Sequence, residues 1–260
     1  MRRPLDQELV RRGLAGSRDA AREVIATGRV RVAGRPALKD TTLIRPQDPV
    51  VLSPVEGRFV SRGGEKLAAA LERFEVDPSG RACLDAGAST GGFTDCLLAA
   101  GADAVIAVDV GYGQLDFRLR QDPRVTVLER TNVRELRRDL LPLAPSLVVA
   151  DLSFISLALA LPALADVSTE DGEFVLLVKP QFEALPEEVE PGGVVRDPEV
   201  HRRAIERVAK ACMELGLPPR AAMASPLRGP AGNIEFLLHG IKGGRASPFD
   251  VDAALEEAEV

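Results

Sequence analysis

The stretch Cys83-Leu-Asp-Ala-Gly-Ala-Ser-Thr-Gly-Gly-Phe-Thr-Asp95 decides how the rest of the chain is read. A short apolar run, Ala82-Cys83-Leu84, ends in an acid and a glycine cluster, and a helix-like run from Phe93 to Ala100 follows at once. Strand, glycine turn and helix open a nucleotide-type α/β domain. Glycine lets the backbone turn tightly and approach a ligand where a Cβ would collide. The helix N-terminus behind the turn offers unpaired N–H groups.

The glycine spacing bears on the ligand. A dinucleotide site needs G-x-G-x-x-G; here Gly87, Gly91 and Gly92 follow Asp85. Acid-x-Gly-x-x-x-Gly suits S-adenosylmethionine (SAM), which has no pyrophosphate and whose ammonium a carboxylate can hold. A plain glycine turn of an α/β protein fits the same residues. Asp109 adds weight to SAM, because it ends the next apolar run, Ala104-Val-Ile-Ala-Val-Asp109, where an acid commonly takes both ribose hydroxyls. The expected cofactor contacts are Asp85, Gly87, Ser89, Gly91, Gly92, Phe93 and Asp109, with Asn132 and Asp151 from later strand ends.

The 260 residues allow one large domain or a large one plus a small one, and 45% apolar content supports a substantial core. Aromatics are 4% and Trp is absent, which argues against the usual aromatic-stacking RNA surface. No apolar run reaches membrane-spanning length and the N-terminus has no apolar signal core, so a soluble cytoplasmic protein is expected. Cys83, Cys96 and Cys212 show no C-x-x-C spacing and read as reduced, buried thiols. His201 and His239 show no ligand spacing; no metal is expected, and His201, in a charged helical run, reads as solvated. The net charge of −6 hides an asymmetry. Residues 1–60 hold 12 Lys+Arg against 7 Asp+Glu, and the remaining 200 hold 21 against 32. A basic segment on an acidic chain suggests that this segment faces a polyanion.

That basic segment has its own pattern. Leu5, Leu9, Val10 and Leu14 lie close to one helical face, Ser17 is a candidate N-cap, and Arg18 to Thr27 reads as a second helix. Val30-Arg-Val32 and Val50-Val-Leu52 read as strands. Pro46, Pro49 and Pro54 lead into a linker, and Lys66 follows in Val60-Ser-Arg-Gly-Gly-Glu-Lys-Leu67 at a helix start, where the helix dipole disfavours a lysine. The expected boundaries are a small α+β unit at 1–55, a linker at 56–62, a large domain at 63–242 and an acidic tail at 243–260 that is disordered or a weakly held helix.

Across the large domain, strands are expected at 82–86, 104–109, 125–129, 147–152, 174–179, roughly 220–224 and 234–239, with helical or irregular segments between. This alternation argues for a mostly parallel sheet covered on both faces. Ligands of such sheets sit beyond the carboxyl ends of the strands. Asp85, Asp109, Asn132, Asp151 and Lys179 all fall there. A lysine finishing a buried strand is expensive unless paired or functional. Asn132 suits an adenine edge or a plain turn equally. Glu235 opens the last strand among apolar neighbours, and 183–198 reads as an acidic mobile loop.

Two resemblances now follow. The pattern R-P-L-D-x-x-L-V-x-x-G-L-A-x-S-R-x-x-A-x-x-x-I-x-x-G-x-V-x-V-x-G from Arg3 to Gly34 resembles the RNA-binding domain first known from ribosomal protein S-four. It implies an RNA surface on Arg3, Ser17, Arg18, Arg22, Arg29 and Arg31, a use that suits the guanidinium fork. The order Lys66, Asp151, Lys179, Glu235 resembles the K-D-K-E tetrad of FtsJ-type RNA ribose 2′-O-methyltransferases. With S-R-G-G-E-K-L at 61–67, A-D-L-S-F-I-S-L at 150–157, L-V-K-P-Q-F-E at 177–183 and G-N-I-E-F-L-L-H at 232–239, the chain is similar to the TlyA family of "haemolysin" rRNA methyltransferases.

The family resemblance implies an α/β fold: a Rossmann-like SAM-dependent methyltransferase with a seven-stranded, mostly parallel sheet, carrying a small S-four-like α+β domain. It implies a cytidine ribose hydroxyl of rRNA as acceptor, in the small subunit alone or in both subunits, and ribosomal RNA or subunits as partner. Lys179 is expected to act as base or to orient the hydroxyl, with Asp151 and Glu235 fixing the lysines and the ribose. Rival readings are a membrane-active haemolysin, an NAD-dependent oxidoreductase and a non-catalytic ribosome-assembly factor.

Overall fold

The computed structural model of the protein describes residues 2–15, 18–26, 28–52, 58–245 and 249–258. The N-terminal unit comprises β1 (Arg3–Pro4), α1 (Leu5–Arg11), α2 (Arg18–Ala26), β2 (Val30–Val32), β3 (Arg35–Pro36), β4 (Leu43–Ile44) and β5 (Val50–Leu52). Leu5, Leu9, Ala21, Ile25, Val30 and Ile44 form its buried core. The pair β2–β5 is antiparallel, with Arg31 opposite Val51. Val32 and Val30 of β2 point toward the core and Arg31 away from it, as strand alternation requires. Ser17 lies outside the described residues, as does the expected 55/56 boundary.

The large domain continues with α3 (Gly63–Arg73), β6 (Ala82–Ala86), α4 (Gly92–Ala99), β7 (Ala104–Val108), α5 (Phe117–Gln121), β8 (Val125–Leu128), β9 (Leu147–Ala150), α6 (Leu157–Val167), β10 (Glu173–Val178), α7 (Pro180–Glu183), α8 (Pro198–Glu214), β11 (Pro219–Ala224), β12 (Phe236–Ile241) and α9 (Asp252–Ala258). Its seven strands run in the order β11-β12-β10-β9-β6-β7-β8. The five strands β10 to β8 are parallel, and β12 is antiparallel to both neighbours. Continuous apolar runs such as Leu147–Ala150 are buried along their length, because helices cover both faces. One face packs against α6, α8 and α9 through Leu157, Leu161, Ile205, Val208 and Ala254. The other packs against α3 and α4 through Leu67, Leu71, Phe93 and Leu97.

Helix ends follow local chemistry. Asp197 caps α8 by accepting from Glu199 N, and Pro198 takes the first position, where no backbone donor is needed. Ser156 caps α6 by accepting from Ala158 N. The starts of α3 and α4 meet at Gly92: a Cβ there would lie 2.2 Å from Ser61 Oγ and 2.9 Å from Gly64 N. Only a glycine admits that approach, which brings the helix of Lys66 against the glycine loop.

Four expectations are corrected. The last strand begins at Phe236, two residues later than expected: its partner β11 ends opposite it at Ala224, and 233–235 are irregular, held by the bonds Ser225 N to Glu235 O and Gly229 N to Asn233 O. Of the two readings of the tail, disorder is overturned over 252–258, which is helical. Val251 and Ala254 are buried and Phe249, Leu255 and Ala258 pack beside them, so an apolar face holds α9 on the sheet despite its acidic sequence. His201 is not solvated: it is buried on the inner face of α8, with Nε2 3.1 Å from Val195 O, and burial lowers its pKa. Glu183, taken as a loop acid, is also buried and ends α7. Cys83, Cys96 and Cys212 are buried free thiols, their pKa pushed up to about 12 by desolvation. Among the described residues no helix is long and apolar enough to cross a membrane, and no His/Cys/Asp/Glu group could hold a metal ion.

Candidate functional site

Sheet register gathers the expected residues at one end. Ala86 stands beside both Val108 and Ala150, so Gly87, Asp109 and Asp151 leave their strands side by side. Val178 pairs with Phe236 across an antiparallel ladder, so Lys179 leaves β10 where Glu235 enters β12. Lys66 reaches the same end from the first turn of α3.

The four charged groups form two pairs. Lys66 Nζ lies 2.5 Å from Glu235 Oε2, with both side chains buried. Lys179 Nζ lies 2.5 Å from Asp151 Oδ1 and donates to Ser153 Oγ at 2.9 Å. The Lys179–Asp151 approach is an ion pair rather than an aligned hydrogen bond, since Asp151 Oδ1 finds no hydrogen-bond donor. Pairing is what lets lysines stand at the end of a buried sheet. Ser153 was not among the residues expected from the sequence; its signal was its place two residues after Asp151, and both side chains reach Lys179 Nζ.

The glycine loop forms the other half. Gly87 has φ +85°, and a Cβ on it would sit 2.5 Å from the Asp151 carbonyl oxygen. Gly91, also left-handed, is the N-cap of α4. Asp85 is fully buried. Its Oδ2 accepts from Thr94 Oγ1 at 2.6 Å, while Oδ1 has no partner. Desolvation, with repulsion from Asp151 adding to it, pushes its pKa up to about 7 against the Thr94 hydrogen bond. Asp109 is held by backbone: Oδ2 accepts from Ser89 N at 2.8 Å and Oδ1 from Gly111 N at 2.6 Å. An orphaned buried carboxylate oxygen beside a cradle that a Cβ would fill fits a cationic ligand end.

Two expected cofactor residues are engaged elsewhere. Phe93 is buried in the apolar layer with Phe59 and Leu67, so its side chain packs the core and only its backbone reaches the helix start. Asn132 caps the turn at Val133–Glu135: Oδ1 accepts from Arg134 N at 3.2 Å and Nδ2 donates to Glu135 Oε1 at 3.3 Å. Local geometry claims its amide, the plainer of its two readings.

Beside Lys179 lies an open cleft of about 480 Å³ lined by Arg134, Phe154, Ile155, Ser156, Leu159 and Phe182. Phe154 is 91% exposed with φ +64°, an unusual conformation for a bulky residue. Its ring lies 5.3 Å from that of Phe182, and Lys179 Nζ stands 5.9 Å from the Phe182 ring.

In the N-terminal unit Arg3 is exposed on β1. Arg18 grips buried Asp6 with bonds of 2.8 and 2.9 Å, and Arg22 lies 3.2 Å from Asp40. These two guanidiniums therefore brace the unit while staying about half exposed. Arg31 donates to Gly34 O at the hairpin and Arg29 is partly exposed. Buried Glu8 takes hydrogen bonds from Arg11 and Arg12. The Arg11 bond outweighs the opposing effect of burial and holds the Glu8 pKa down to about 2.

Comparison with known proteins places this geometry in a family. The FtsJ-like methyltransferase model matches residues 59–242 and the S4 domain model matches 3–50. The 16S/23S rRNA (cytidine-2′-O)-methyltransferase TlyA of Mycobacterium tuberculosis is 53% identical over 235 residues, 90% of this chain and 88% of that protein. A solved structure from Streptococcus thermophilus, described as a candidate hemolysin, is 37% identical with a TM-score of 0.76, covering 99% of this chain and 96% of the other. A structure from Listeria monocytogenes, described as a candidate SAM-dependent methyltransferase, is 16% identical with a TM-score of 0.51, covers 71% of this chain and all of that one, and shares the fold. The chain belongs to the FtsJ-like methyltransferase family, in the TlyA group that joins this domain to an N-terminal S4 domain.

Proposed function

We propose that this protein is a SAM-dependent rRNA (cytidine-2′-O)-methyltransferase. The observation that carries the reading is the meeting of two lysine–carboxylate pairs, the buried Lys66–Glu235 and the part-exposed Lys179–Asp151, with a glycine cradle at one end of the sheet. Asp85 would hold the SAM ammonium, Asp109 the ribose hydroxyls, and the loop from Gly87 to Gly92 the backbone around them. When bound, SAM supplies an electrophilic methyl carbon.

The residues of this chain manage the acceptor. A ribose 2′-hydroxyl is a poor nucleophile. As the new O–C bond forms, the methyl carbon–sulfur bond would break with its electron pair passing to sulfur, which leaves as a neutral thioether. The hydroxyl proton would pass to water in the open cleft. Lys179, anchored by Asp151 and Ser153, orients that hydroxyl and stabilises the negative charge that grows on it. Lys66 and Glu235 fix the ribose from the other side. The cleft of Phe154 and Phe182 has a volume suited to a nucleoside, and it opens beside Lys179, so the target base enters there after leaving its stack. The exposed sides of Arg3, Arg18, Arg22, Arg29 and Arg31 contact phosphates, which makes docking salt-sensitive. A cytoplasmic setting follows from the substrate.

Methyl transfer from labelled SAM to rRNA, with the 2′-O-methyl position mapped, tests the reading. Lys179→Ala is expected to abolish transfer and retain SAM binding. Near-normal turnover by that variant sinks the assignment. Removing residues 1–55 is expected to cost RNA affinity and spare SAM affinity; equal RNA binding refutes the division of labour.

A further inference from the structure

Among the described residues, Glu183 is the one buried carboxylate near the cleft that the mechanism leaves unused. It ends α7, four residues after Lys179, and is 3% exposed. One oxygen accepts from Ser156 Oγ at 2.5 Å and the other from Leu157 N at 2.7 Å. Ser156 and Leu157 begin α6, so the carboxylate sits at a helix N-terminus, where negative charge is favoured. Burial raises its pKa against those two hydrogen bonds and the charge of Arg207. Arg207 also donates to the Glu183 backbone carbonyl, tying α7 to α8. An ionisable group in such a place is costly, and a packed apolar side chain would serve stability as well.

The bridge joins two particular segments. The one after β9 carries Asp151, Ser153 and the strained Phe154; the one after β10 carries Lys179 and Phe182. These segments are already linked by Lys179 to Asp151 and Ser153. Glu183 to Ser156 and Leu157 is a second link, farther along both segments. With the Phe154–Phe182 contact between them, the two polar links hold the segments near both ends and limit how far they turn against each other. Lys179 and the Phe154–Phe182 cleft lie between the two.

We infer that Glu183 is a positioning residue, which holds Lys179 and the aromatic cleft in their mutual geometry through Ser156 and the start of α6. The inference rests on the methyltransferase reading given above.

The test uses the full chain with Glu183→Ala, Glu183→Gln, Ser156→Ala and the Glu183→Ala/Ser156→Ala double variant. Expected for Glu183→Ala is a fall in kcat of up to about 100-fold, the cost of an ångström-scale misplacement, with SAM affinity unchanged. Glu183→Gln regains most of it, because the amide oxygen still accepts from Leu157 N. The double variant is no slower than Glu183→Ala, since both changes break one contact. The inference is overturned if kcat falls only in step with the folded fraction, if Glu183→Gln is as slow as Glu183→Ala, or if the two losses multiply. A second readout needs no RNA: the Lys179 side-chain Cε resonance, assigned by its loss in Lys179→Arg. It should move in Glu183→Ala and return in Glu183→Gln; a resonance unmoved by Glu183→Ala overturns the inference. Wild-type protein that methylates no rRNA would instead refute the methyltransferase reading, and the resonance would judge the positioning role by itself.

Discussion

The proposed contact between Asp85 and the SAM ammonium predicts that SAM binding is proton-linked. The buried carboxyl has an orphan oxygen at the end of β6 and a pKa near 7, raised chiefly by desolvation. Neutral, it has little to offer an ammonium; ionised, it has a full charge in a site screened from water. With a pKa of about 7, roughly one molecule in eleven is ionised at pH 6 and one in two at pH 7. SAM affinity is therefore expected to rise about five-fold over that unit of pH, and binding near pH 6 should release close to one proton. The ligand's own ammonium stays charged below about pH 7.7, so it does not blur this window. Calorimetry in two buffers of different ionisation enthalpy measures both quantities. Asp85→Asn should bind SAM weakly and lose the slope. A flat affinity between about pH 5.5 and 7, or no proton release, would refute the contact between Asp85 and the ammonium. Stability without ligand carries the opposite sign. The folded state holds this proton more tightly than the unfolded chain, so Asp85 costs stability as pH climbs from the ordinary carboxyl value of 3.8 through about 7, and SAM relieves the cost.

Other consequences are direct. Gly87→Ala forces a left-handed alanine, worth about 1–2 kcal/mol, and drives its Cβ onto the Asp151 carbonyl. Thermal unfolding should show the modest loss, while methyl transfer should fall much further because Asp151 is displaced. Glu235→Ala leaves Lys66 buried without a counter-charge, a cost of about 3–5 kcal/mol readable by chemical denaturation. Replacing both, Lys66→Met with Glu235→Leu, should recover most of that stability and none of the activity; recovered activity would show that the pair is only structural. In the N-terminal unit Glu8 has its pKa held near 2, so its stabilising effect is present above about 4.5 and vanishes as pH falls toward 2. Hydrogen exchange of α1 should follow that window and lose it in Glu8→Gln.

Much of the fold was written in residue order. Parallel strands covered on both faces must be apolar along their length, so Leu147–Ala150 and Phe174–Val178 declare themselves, and a polar residue ending each run marks the mouth of the sheet. The acid and glycines from Asp85 to Gly92 are equally local, because backbone conformation and close approach depend on what a single position lacks. Periodicity also separated the small helical unit from the sheet domain. Side-chain partnership was not local. Lys66 meets Glu235 across 169 positions, and only the antiparallel placement of β12 beside β10 brings Glu235 to the lysines. The same closure turned Phe93 inward, gave the Asn132 amide to a turn, buried His201 and Glu183, and folded the acidic tail onto the sheet. Each of these depends on which neighbour fills the space, a quantity set by three-dimensional packing. Residue order showed where polar groups gather at the ends of apolar strands; three-dimensional packing selected which charged groups pair there and left Asp85 Oδ1 buried without a hydrogen-bond partner.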